Sequence, residues 1–192
     1  MSARATTRPG GRSARVQQSV HQAVRDLEAE VGRDALTVPL VAARAGVTPS
    51  TIYRRWGDLR ELLSDVAVER LRPDAEPADC GSLRADLEAW ALQFAEEMSS
   101  TAGRTYIRDA LLGDPEQGNA VRCSDYAAEQ LKTIGVRAAG RGEAVPDVES
   151  LLDVIVAPMM YRILFRPSDV SAAYTDCLVA AALGRSVATP RD

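Results

Sequence analysis

The 192-residue sequence has one histidine, His21, and one lysine, Lys132. A single imidazole excludes multi-histidine metal sites and argues against a His-based catalytic triad. His21 lies among polar residues of a predicted helix and reads as a surface or capping group. Cysteine is sparse: Cys80, Cys123 and Cys177 are odd in number and show no CxxC spacing. They indicate neither a disulfide framework nor a zinc site and suit a reducing cytoplasm. Nothing near them is arranged to lower a thiol pKa, although Arg122 neighbours Cys123. No apolar segment follows the opening MSARATTRPGGRSAR, so no export signal is expected. The longest apolar run, Val154–Phe165, contains Arg162 and is too short to span a bilayer; it reads as a buried core helix. No segment alternates convincingly with period two, which leaves no strand to propose.

What is present is helical. Apolar residues make up 46% and charged residues 26%, an ordinary globular balance. The net charge of −4 is unevenly distributed. Residues 1–72 carry 12 arginines against 8 acids, net +4, whereas residues 73–192 carry 11 cations against 19 acids, net −8. Halves of opposite sign suggest two tasks. Residues 1–12, with Arg4, Arg8 and Arg12 among Ser, Thr, Gly and Pro, read as a disordered basic arm. From residue 13, Val16, Val20, Ala23, Val24, Leu27 and Val31 form one apolar stripe that stops at Gly32. Short helices are expected at about 39–45 and 49–55. Gly46 would turn between them, and Thr48 and Pro49 would stand at the N-cap and first position of the second. Asp58-x-x-Glu61 resembles a capping box opening a fourth helix rich in leucine. Pro73 and Pro77 close the first domain, 13–72, and a breaker-rich connection leads into a second, 73–192. There, helices are expected at 82–98, 104–112, 116–138, Pro146 to Phe165, and from Pro167-Ser168 onward. The fold expected is all-α with about nine helices.

Residues 37–63 carry the functional signal. Two short helices joined by a glycine turn make a helix-turn-helix plan. The outer side of the second shows Pro49, Ser50, Thr51, Tyr53, Arg54 and Arg55, groups that reach base edges and phosphates, with no acid among them.

The run LTVPLVAARAGVTPSTIYRRWGDLRELL, 36–63, resembles the DNA-binding domain of TetR-type transcriptional regulators, with VAARAGVT at 41–48 and STIYRRW at 50–56. The resemblance covers roughly residues 13–70. Downstream it is architectural, apart from VIVAPMMYRILF at 154–165, which looks like the eighth helix of one C-terminal subgroup. It implies that Thr37 contacts phosphate and that Thr48 caps the recognition helix. It also implies that Ser50, Thr51 and Arg54 face the major groove, and that Tyr53 reaches phosphate or a base. Trp56 would close the helix against core and DNA backbone, with pure core packing compatible. The arm Arg4–Arg15 would lie along a minor groove or backbone, or serve as a solubility tail. Where the family has a phosphate-binding lysine at the start of the fourth helix, this chain has Leu59. Arg60 is the substitute, one helical step away.

For residues 73–192 the resemblance implies a ligand-binding and dimerisation domain. The eighth helix is apolar nearly all round and the ninth is rich in small residues. Together they suit a four-helix interface in a homodimer, or else the eighth is a single deep core helix. Trp90, Phe94, Met98, Tyr106, Tyr126, Met159, Met160 and Phe165 are candidates for an apolar pocket, or plain core. Pro158 should kink its helix beside a cavity. The charge of −8 points to a neutral or cationic effector. The reading is a sequence-specific DNA-binding regulator, a repressor released by a small-molecule effector of unknown identity, binding a pseudo-palindromic operator as a homodimer. No catalytic group is assembled, and neither cofactor, metal nor membrane is called for. The alternative is a helical dimerisation or adaptor protein of the same fold with weakened DNA binding.

Overall fold

The structure, a computed structural model, describes residues 10–166 and 170–184. It divides into two compact units, Met1–Val66 and Ala67–Asp192.

The first unit holds α1 (Gly10–Val31), a 3₁₀ turn (Arg33–Ala35), α2 (Val38–Ala45), α3 (Pro49–Trp56) and the start of α4 (Leu59–Leu71). The apolar stripe of α1 supplies Val20, Val24 and Leu27 to a core shared with Val41, Ile52 and Leu62, all essentially inaccessible. Thr37 Oγ1 accepts from the Leu40 N–H at 3.3 Å and so caps α2, with Pro39 in its first turn. Gly46 sits at φ 68° and ψ 31°, the left-handed conformation in which a Cβ is strained. Its neighbour's N–H, on Val47, returns to the Ala42 carbonyl at 3.0 Å and closes the turn. Asp58 Oδ1 accepts from the Glu61 N–H at 2.9 Å and starts α4.

Two boundaries differ from expectation here. The arm expected over 1–12 lies outside the described residues except for 10–12, and those three are already helical. The division falls at Val66/Ala67 rather than at 72, inside α4. Val66 belongs to the first core, whereas Ala67 and Val68 cluster with Ala110.

The second unit holds the end of α4, α5 (Leu83–Ser99), α6 (Thr101–Leu112), a 3₁₀ turn (Pro115–Gln117), α7 (Asn119–Gly140), α8 (Val148–Leu151), a π-helical turn (Leu152–Val156), α9 (Ala157–Phe165) and α10 (Ala172–Gly184). Leu87, Leu131, Ile134, Ile155, Met159 and Val179 form its centre. Ser82, Ser100 and Asp147 accept from Ala85, Gly103 and Ser150 N–H groups and cap α5, α6 and α8. Because Ser100 is the cap, α6 starts three residues earlier than its apolar pattern suggests.

The helix expected unbroken from Pro146 to Phe165 is interrupted. Within Leu152–Val156 the ladder widens, and the Ala157 N–H donates to the Leu152 carbonyl, five residues back. Pro158, which has no N–H, follows at once in the first turn of α9. The expected opening of the last helix at Pro167-Ser168 lies outside the described residues. Val170 and Ser171 precede α10, and Ser171 Oγ accepts from the Tyr174 N–H at 3.3 Å.

Candidate functional site

In the first unit, Ser50, Tyr53 and Arg54 lie exposed along α3, with Thr51 half-buried beside them. Tyr53 is 49% exposed, and no hydrogen bond from the described residues holds its hydroxyl. Arg54 has no ion pair among the described residues. Thr48 occupies the N-cap position, but its hydroxyl makes no cap bond. It lies 2.9 Å from Ser50 Oγ and 3.0 Å from Thr51 Oγ1, so three hydroxyls form one cluster at the start of the helix. This corrects the capping role expected of Thr48. Pro49 is exposed at the first position, and Thr37 is exposed at the start of α2.

Two residues grouped with the recognition face have other partners. Arg55 donates to the Ser13 carbonyl and hydroxyl at 3.1 and 2.8 Å and to Gln17 Oε1 at 2.6 Å, tying α3 to α1. Trp56 is buried, and its indole N–H, the only donor it has, goes to Asp65 Oδ2 at 2.9 Å. A phosphate contact from Trp56 is therefore not on offer; its role is core closure. Leu59 packs against the same core, which explains an apolar residue there, whereas Arg60 is exposed without an ion pair among the described residues. Arg44 grips Glu30 through both guanidinium ends, at 2.8 and 2.5 Å, and fixes α2 to α1. That bond holds the Glu30 carboxyl below its ordinary range.

The sequence reading missed a buried hub beneath this face. Asp65 Oδ2 accepts from Gln17 Nε2 at 3.0 Å, from Trp56 Nε1 at 2.9 Å, and lies 2.9 Å from His21 Nε2. His21 is 3% exposed, not the surface group expected. It follows Val20 directly on α1, at the edge of the apolar stripe, and burial is tolerated because a carboxylate 44 residues away accepts its proton. Asp65 sits between Leu62 and Val66 on the buried side of α4, the one signal in the sequence for its position.

The second unit contains a cavity of about 830 Å³, within the range of small-molecule sites. Trp90, Phe94, Met98, Tyr106, Tyr126 and Met160 line it. Met159 and Phe165 do not. Met159 is one residue, about 100°, from Met160 and points into the core with no exposure, whereas Phe165 is 70% exposed at the end of α9. The rings of Trp90 and Phe94 stack at 5.2 Å between centroids and form one wall. Leu152 and Val156 of the π-helical turn form part of another. Trp90 Nε1 donates to Gln130 Oε1 at 2.7 Å, and Gln130 Nε2 donates to the Ala75 carbonyl at 3.1 Å, tying the 72–78 connection to the cavity wall. Cys123 also lines the cavity, and burial pushes its thiol up to about 11, so it is an inert neutral group at physiological pH.

Outside the cavity, α9 exposes Tyr161 and Phe165, whose ring centroids lie 5.3 Å apart, while the partly exposed Leu164 borders the cavity. On α10, Ala173, Cys177, Ala180 and Ala181 are exposed. Among the described residues no group of His, Cys, Asp and Glu is placed to hold a metal, and no helix is long and apolar enough to cross a membrane.

Residues 22–66 match the family model for bacterial regulatory proteins of the tetR family, and residues 77–182 match that for tetracyclin repressor-like C-terminal domains. The chain is 29% identical over 170 residues to the uncharacterized HTH-type transcriptional regulator YdeS of Bacillus subtilis, covering 84% of this chain and 85% of that protein. It is 32% identical over 140 residues to the DNA-binding transcriptional repressor TetR of Mycobacteroides abscessus, covering 69% and 73%. Among solved structures, the transcription regulator SCO0332 aligns with a TM-score of 0.64 at 27% identity, over 89% of this chain and 98% of that one.

Proposed function

Because this chain belongs to the TetR family of transcriptional regulators, we propose that it is a homodimeric cytoplasmic repressor that reads its operator with α3 and leaves it when a small molecule fills the second unit's cavity. The recognition face carries this reading. Ser50, Thr51, Tyr53 and Arg54 stand on one short helix with no acid among them, and no hydrogen bond or ion pair among the described residues holds the side chains of Tyr53 and Arg54. Arginine and hydroxyl groups in that setting contact base edges and phosphates. Arg60 takes the phosphate role that Leu59 cannot, and Arg55 acts by fixing the orientation of α3.

The cavity supports effector control, since a space of this size with aromatic and aliphatic walls and convergent polar groups suits a ligand rather than a core. An effector shifts the balance between two states only through unequal affinity for them. The exposed faces of α9 and α10, with Tyr161 and Phe165, are the dimer surface; a symmetric interface would bury both copies of this patch. An electrophoretic shift with genomic DNA fragments tests the proposal. Sequence-selective, salt-sensitive retardation is expected. Its absence would instead favour the adaptor reading, for which Leu59 is the supporting feature.

A further inference from the structure

We infer that the cavity takes an amphipathic organic acid, a carboxylate on a large apolar body, with Arg70 as the carboxylate's partner. The inference rests on the reading of this cavity as the effector site. Arg70, on the last turn of α4, lines the cavity. Among the described residues it makes no ion pair, and its guanidinium lies over the face of the Tyr106 ring, 5.7 Å from the centroid. Tyr106 and Tyr126 also line the cavity and cluster together against Ala67, Val68 and Ala110. Neither phenol has a hydrogen-bond partner among the described residues. One part of the cavity therefore offers a guanidinium and two hydroxyls with no acceptor among the described residues. Arg70 is exposed at the rim of the cavity, whereas Tyr106 and Tyr126 are half-buried. Half-buried phenols without an acceptor favour a ligand that brings one, and the guanidinium fork beside them matches a carboxylate.

The lining acids do not offer a cation the same setting. Glu76 is engaged by Arg137 at 3.0 Å, and Glu97 accepts from Gln93 at 2.8 Å along the exposed side of α5. Asp74 is exposed on the connection that also borders a shallow outer groove. Trp90, Phe94, Met98, Leu152, Val156 and Met160 supply a continuous apolar part of the wall. The segment's charge of −8 pointed to a neutral or cationic ligand, but that sum runs over the whole surface, whereas recognition depends on the groups facing the cavity.

Three ten-carbon probes with different heads decide the matter: decanoate, decanol and decyltrimethylammonium, each below its micelle concentration. Calorimetry on the full chain gives the affinities. Quenching of Trp90 in a Trp56→Phe variant, where it is the only tryptophan, reports occupancy of the cavity. Decanoate is expected to bind at least about tenfold more tightly than either other probe. Arg70→Met should abolish that advantage and leave decanol unchanged, and the Tyr106→Phe/Tyr126→Phe variant should reduce it. Equal affinities, or a preference for the ammonium, overturn the acid assignment and leave the cavity as an effector site. No Trp90 response to any probe overturns both.

Discussion

Replacing Asp65 by alanine removes the acceptor shared by His21, Gln17 and Trp56. Gln17 is only half-buried and can turn to water. His21 and Trp56 cannot, since they are 3% and 8% exposed. Each buried donor left without a partner costs about 1–3 kcal/mol. The loss expected for Asp65→Ala is therefore about 2–6 kcal/mol, a large part of the stability of a small helical unit. Asp65→Asn keeps an acceptor oxygen in place and should cost about half as much or less. Trp56→Phe strands no buried donor and should cost about 1–2 kcal/mol through the lost bond and smaller ring. For the Asp65 variants, urea unfolding of a Trp90→Phe protein, followed through Trp56 fluorescence, reads the first unit alone; Trp56→Phe, which removes that reporter, is followed by circular dichroism. A loss under about 1 kcal/mol for Asp65→Ala, or a ranking in which Asp65→Asn is the worse of the two, would refute the hub as the anchor of this fold.

Further outcomes follow from the same geometry. Arg54→Ala should weaken specific DNA binding by about 1–3 kcal/mol, measured by anisotropy against a matched non-specific duplex. Arg60→Ala should weaken both duplexes alike and lower the salt slope by about one. Gly103 is buried where a Cβ would collide with the Glu97 carbonyl oxygen, so Gly103→Ala should lower the melting temperature of the second unit, read by calorimetry. The Glu143 carboxyl, held below its ordinary 4.5 by the Arg141 hydrogen bond and then by the Leu83 N–H, stabilises the folded state above that value. This contribution disappears as pH falls through the lowered value, so Glu143→Gln should flatten the acid limb of stability against pH. Cys123 should react with iodoacetamide at pH 8 at least tenfold more slowly than exposed Cys80, read by peptide mass spectrometry.

The helix-turn-helix was legible because its determinants are local. The stripe on α1, Thr37 and Pro39 opening α2, Gly46 in the turn, and Asp58 before α4 each act within a few residues. What the sequence hid depends on partners far along the chain. His21 reads as polar surface until Asp65 arrives from α4, and Arg55 reads as a groove contact until Ser13 and Gln17 take it. The cavity was partly legible for a related reason. Aromatic and methionine spacing marks the inward side of a helix, but a single 100° step separates Met160 at the void from Met159 in the core. The interruption at Leu152–Val156 has no periodic signature, and only Pro158 hinted at it.

The central claim is that α3, presented twice by a dimer, reads a specific operator. Selection of duplexes bound by the full-length protein from a random pool tests it most directly. The account predicts enrichment of an inverted repeat whose half-sites lie about one helical turn apart, or a multiple of it, with affinity falling steeply as salt rises. A pool that stays random after repeated rounds, or binding indifferent to both sequence and salt, would contradict it.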